Sequence, residues 1–152
     1  MPSKRQVILD WLIDPAGPLR GITVANGYVN TASMIERGQR DIDDLSEPDF
    51  PALFVAGTDE QRKNITSNQF SAELTVGIVG AVKSTTGVSG VQQVMDTFIA
   101  DVTKALMTDH TQGGRVYSTN VGRIRTDQGN RFPHAICLVE VTFKYATEGT
   151  IP

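Results

Sequence analysis

Two stretches of the chain repeat apolar residues every three or four positions, and several others alternate them, so helices and strands can be placed from the pattern. Near the start, Val7, Ile8, Trp11 and Leu12 share one helical face, and Ser3 with Gln6 has the spacing of a capping box. Asp14-Pro15 and Gly17-Pro18 stop that helix, and Leu19 and Ile22 suit a short turn before Asn26-Gly27. Tyr28 to Ile35 carries the Tyr, Val and Thr content of a strand. RGQRDIDDLSEPDF then predicts a long charged loop, PALFVAG a short buried strand, and TDEQRKNITSNQ a second polar loop. In FSAELTVGIVGAVK, Phe70, Ala72, Leu74, Val76, Ile78 and Val82 take one strand face, and Ser71, Glu73, Thr75 and Lys83 take the other.

The second helical stretch is the better specified. Val91, Val94, Met95, Phe98, Val102, Ala105 and Leu106 form a continuous apolar stripe, with Asp96, Asp101 and Lys104 expected to point away from it. Ser89 and Gln92 have capping-box spacing at its start. Two further strands, Arg115 to Thr126 and Phe132 to Tyr145, are joined by Asp127-Gln-Gly-Asn, a hairpin turn in which Gly129 is free to adopt positive φ. Helix, three strands, helix and hairpin predict one α+β domain over residues 1–152. It would hold a mostly antiparallel sheet of about five strands, with two main helices packed on one face.

Composition narrows the function. A net charge of −3 and a pI near 5.3 argue against a nucleic-acid binder of the basic-patch kind. One cysteine, Cys137, excludes an internal disulfide and any Cys-pair metal site. The opening MPSKRQVILDWLID is broken by Asp10 and Asp14 and does not read as a signal peptide. No stretch approaches the roughly 20 apolar residues of a membrane span, so synthesis in a cytoplasm and no membrane partner are expected.

The segment ALMTDHTQGGRVYSTNVGRIRTD draws a search for chemistry, since it holds Asp109, His110 and Gly113-Gly114. Those glycines follow a helix C-terminus, whereas a phosphate cradle needs the N–H groups of an N-terminus; the run is expected to be a helix stop. His110 and His134 lack any paired ligand spacing, so no metal is expected. TTGVSG precedes a helix but lacks the GxxxxGK pattern. Asp41, Asp43, Asp44, Glu47 and Asp49 lack the order of a calcium loop. Cys137 alternates with Ala135, Val139 and Val141 and reads as a buried, unreactive core residue. No nucleophile, base and orienting group assemble, so the expectation is no enzyme, no catalytic residue and no cofactor.

Contacts with partners are the remaining possibility. Arg123 and Arg125 share one face of a strand, and Arg115 and Arg131 flank the same hairpin; guanidinium groups suit carboxylates or phosphates, although arginine also protects exposed edges. On the second face of the last strand, Ile136 and Leu138 accompany His134, Glu140 and Thr142, so another chain is expected to cover part of it. The loops from Arg37 to Phe50 and from Thr58 to Gln69 exceed the usual connection length. They are expected to be mobile until a partner orders them, with Arg37, Arg40, Asp41, Asp43 and Asp44 as contact candidates.

In order along nearly the whole chain, Gly27-Tyr28, Arg37-Gly38, PALFVAG, ELTVGIV, DVTKALMTDHTQGG, VYSTNVGRIRTD and CLVEVTFKY resemble the tail terminator proteins of long-tailed bacteriophages. That resemblance implies a structural virion protein of the tail and neck, assembled in the host cytoplasm. It would form a homo-oligomeric ring, hexameric in this family, on the last ring of tail tube protein. Its other side would meet the head-side connector or stopper protein, and DNA would meet it only in passing through the lumen. A head–tail connector or other small tail completion protein is the alternative in the same class, and a small anion-binding module using TTGVSG is the distant one.

Overall fold

The computed structural model describes residues 3–38, 40–127 and 130–148. Seven elements follow one another: α1 (Lys4–Ile13), β1 (Met34–Arg37), β2 (Ala52–Asn64), β3 (Gln69–Lys83), α2 (Val88–Met107), β4 (Ser118–Thr126) and β5 (His134–Glu148). The strands form one sheet in the order β1-β2-β3-β5-β4. Only β1 and β2 run parallel; the other three pairings are antiparallel. The class is α+β with a mixed, mostly antiparallel sheet.

Strict alternation along β3 and β5 produces a dry core. Ala72, Leu74, Val76, Ile78 and Val82 lie beside Ala135, Cys137, Val139, Val141, Phe143 and Tyr145, all buried. Ile8, Leu9 and Leu12 of α1, and Val91, Met95, Phe98, Val102, Ala105 and Leu106 of α2, join them in one cluster. Gly80 leaves room for α2: a Cβ there would stand 2.8 Å from the Cys137 Sγ and 3.4 Å from the Phe98 ring. Ser3 caps α1 by accepting from the Gln6 N–H at 3.1 Å, and the Leu19–Gly21 and Val24–Asn26 turns match the expected turn region.

Several boundaries differ from the pattern reading. On α1 the buried positions include Leu9, whereas Val7 is exposed. The N-cap of α2 is Gly87 at φ 116°, not Ser89, because the helix begins two residues earlier. The expected strand from Tyr28 is irregular until Met34, and its backbone serves another purpose. Asp101 is 4% exposed and faces inward, accepting from the Val29 N–H at 3.2 Å, the Asn30 N–H at 2.8 Å and the Asn30 Nδ2 at 2.9 Å. A carboxylate thus replaces ladder partners for this segment.

The second polar loop is largely strand. β2 continues to Asn64 and pairs with β3 from Thr58↔Val76 to Asn64↔Phe70, leaving a turn of only Ile65 to Asn68. Gly57, at φ 69°, takes the left-handed conformation where the β2 register shifts, and β4 shifts between Val121 and Ile124. Both irregularities border the row Ala56↔Gly77↔Glu140, so each edge bends at about the same height. The remaining strand bounds are shorter or longer than expected, with β4 starting at Ser118 and β5 running from His134 to Glu148. The Gly129 turn lies outside the described residues.

Candidate interface on the outer face of the sheet

The face turned away from the core is divided. Ala52, Phe54 and Ala81 are buried on it because the charged loop folds back across them, with Ile42 buried and Leu45 and Phe50 packed alongside. Two 3-10 turns, Ile42–Asp44 and Glu47–Asp49, give the loop its shape; Asp41 accepts from the Asp43 N–H at 3.1 Å, and Asp49 accepts from the Ser46 N–H at 2.8 Å. The expected charged loop is therefore anchored on its own sheet. Its composition is polar, yet Ile42, Leu45 and Phe50 are spaced to reach the sheet.

Next to this covered half lies an open groove of about 470 Å³, lined by Ala56, Gly57, Val79, Ile136, Leu138 and Arg125 among others. Its close packing depends on Gly77, where a Cβ would come within 2.8 Å of the Ala56 carbonyl oxygen. A second cleft of about 430 Å³ joins Arg40, Asp41 and Arg131 over an apolar floor that includes Phe54 and Ile136. Beyond the groove the face turns polar, with Lys144 pairing Glu73 at 3.6 Å and the Thr75 and Thr142 hydroxyls 3.2 Å apart.

The sequence-derived contact candidates do not form one cluster. Arg37 pairs with Asp10 at 3.4 Å, and Arg40 pairs with Glu36 at 2.8 Å. Arg115 does not belong with the hairpin: its guanidinium stacks on Trp11 at 3.8 Å and donates to the Gln112 carbonyl at 3.1 Å. Trp11 in turn donates to the Gln112 Oε1 at 3.1 Å, so Arg115 is part of the α1 attachment. The register of β4 shifts between Val121 and Ile124, and Arg125 lies level with Leu138 on the groove side. Arg131 meets Arg40 and Asp41 at the cleft instead. Arg123, Arg125, Asp43 and Asp44 are exposed, and none has an ion-pair partner among the described residues.

The segment that first suggested chemistry is a helix stop. Asp109 accepts from the Thr111 hydroxyl at 2.8 Å and from the Gly113 and Thr111 N–H groups at 2.8 and 3.1 Å. These donors hold its carboxyl below the usual range, the Thr111 hydroxyl first. Gln112, Gly113 and Gly114 all take positive φ. Burial raises the Cys137 thiol to about 11, with a smaller opposing effect from the Gly80 backbone, which keeps it protonated at neutral pH. Tyr145 is pushed up by burial and by donating to Glu60, a carboxylate also paired with Arg62 at 3.4 Å and Arg5 at 3.8 Å. In TTGVSG the Thr86 hydroxyl sits 1.9 Å from where a Gly90 Cβ would be, filling the space over the first turn of α2.

Among the described residues, no three His, Cys, Asp or Glu groups gather as they would around a metal, and no helix is long and apolar enough to cross a membrane. His110 is exposed, and His134 packs its ring 5.2 Å from that of Phe50. Alanine at His110 is expected to change folding stability by no more than about 0.5 kcal/mol, the range of an ordinary surface change. Alanine at His134 should cost somewhat more through lost contact with Phe50. Neither should abolish assembly; loss of a stoichiometric metal, together with assembly, in either variant would contradict this. No family model matches the chain, and no curated protein matches it.

Proposed function

We propose that this chain is the subunit of a homo-oligomeric ring, a hexamer by family resemblance, that caps the tail tube of a long-tailed bacteriophage. In that role the ring ends tube growth and offers its other side to the head-side connector, while DNA passes through the lumen. The protein would belong to the tail and neck of the virion. The ordered run of segments from Gly27-Tyr28 to CLVEVTFKY suggests the family.

The observation that carries the structural part of the reading is the divided outer face. One half is covered by the chain's own loop, while Val79, Leu138 and Ile136 line an open groove beside it. Continuity with the buried patch makes this groove a surface suited to another polypeptide. Residues Thr58 to Asn64 of β2 add an open edge, because β1 pairs only with Ala52 to Val55.

The test is addition of purified protein to polymerising tail tubes. Growth should stop, with an annular cap at one tube end. Tubes that continue to lengthen at saturating protein would refute the reading.

A further inference from the structure

We propose that the open edge of β2, Thr58 to Asn64, pairs with the same edge of a second copy, antiparallel and about a two-fold axis at Gln61. The inference goes beyond the ring reading and does not depend on it.

The edge is free along its length. β1 covers β2 only from Ala52 to Val55, and past the register shift at Gly57 the strand has β3 on one side alone. The Ile65 N–H donates to the Gln69 carbonyl at 2.9 Å, so strand alternation turns the backbone groups of Thr58, Glu60, Arg62 and Asn64 away from β3. Among the described residues, no other segment's backbone bonds to them.

Charge order then selects the partner. Asp59-Glu60-Gln61-Arg62-Lys63 carries its acids before its bases, with a neutral residue at the centre. Laid antiparallel on itself about Gln61, the run sets Asp59 opposite Lys63 of the second copy and Glu60 opposite Arg62, each pair occurring twice. Outward-turned residues bond only to outward-turned residues, so the register can change only in steps of two. A step one way opposes Glu60 to Glu60, and a step the other way opposes Arg62 to Arg62. A charged edge that merely repels other strands needs no such order. The arginines of β4 would answer only the acidic half of this edge.

Within its own chain, Glu60 is already held by Tyr145, Arg62 and Arg5. Asp59 and Lys63, level with Thr75 and Ser71 of β3, are exposed and form no ion pair among the described residues. A ring with one tube side and one head side has no two-fold axis between neighbours. The pair is therefore a state of the free chain, which covers this edge until the ring forms and parts as it does.

Sedimentation of protein diluted until rings dissociate reads the result, with Asp59→Lys and Lys63→Glu as variants. The wild type should sediment as a pair of 16.5 kDa chains. Either variant alone should keep the wild-type circular dichroism spectrum and pair at least about 10-fold more weakly, because like charges then face each other twice. Mixed in equal amounts, the two should pair as the wild type does, since opposite charges again face each other at both positions.

Weakening in each variant with recovery in the mixture supports the proposal. A variant that pairs as tightly as the wild type, or a mixture that stays unpaired, overturns it. Rings that dissociate directly to single chains also overturn it and leave the ring reading standing. Pairs that pass the variant test but never grow into annuli support it and contradict the ring, and a single chain at every concentration overturns both. A variant that loses its spectrum is replaced by Asp59→Asn or Lys63→Gln, which must itself weaken pairing; failure to do so overturns the contact.

Discussion

Asp101→Ala is expected to destabilise the fold by about 3 kcal/mol, among the largest effects of any single side-chain truncation on α2. The carboxylate accepts three hydrogen bonds from Val29 and Asn30, and its removal leaves those donors without their partner at a nearly closed site. Each such loss costs about 1–3 kcal/mol where water cannot replace the acceptor, and partial access for water lowers the sum. Alanine's better helix propensity returns a few tenths of a kcal/mol. The Tyr28–Ser33 segment should loosen first, since its backbone has no strand ladder to fall back on. Urea unfolding would measure the loss, and hydrogen exchange at Val29 and Asn30 would locate it. A cost below 1 kcal/mol would mean that the clamp contributes little.

Gly80→Val should cost about 3 kcal/mol by overpacking the seat of α2 on the sheet. The first added carbon would already stand 2.8 Å from the Cys137 Sγ, and the branches would meet the Phe98 ring. Because the nearest obstruction is one sulfur atom, Cys137→Ala should relieve part of the strain. The double variant is expected to be more stable than the sum of the single changes implies, by at least about 1 kcal/mol. Strict additivity would show that the clash is taken up elsewhere.

The core was legible because its periodicity is strong. Alternation from Phe70 to Lys83 and the stripe from Val91 to Leu106 located β3 and α2 to within a few residues. Asp101 escaped attention as a charged residue, although Val94, Phe98, Asp101 and Ala105 keep the helical spacing of a buried face. Polar residues on both faces hid the second half of β2. Its pairing is legible only through β3, whose apolar positions Leu74 and Val76 require a neighbour on each side. The charged loop misled through its average composition, since three apolar residues suffice to pin it.

The contact candidates were legible as residue types but not as positions. Arg115 looked like a member of an arginine cluster, yet stacking on Trp11 depends on an approach between chain segments far apart in sequence. The shift in β4 falls between Val121 and Ile124, and no local signal stronger than Gly122 marks it. By contrast, the Asp109–Gly114 run was readable as a helix stop because its turn chemistry is local.

Assembly state is the most direct test of the central claim. The purified protein should sediment as a ring with a mass six times that of the 16.5 kDa chain, and negative-stain images should show annuli with an open lumen. A particle that sediments as a single 16.5 kDa chain at every concentration, with no annuli on the grid, would contradict the account.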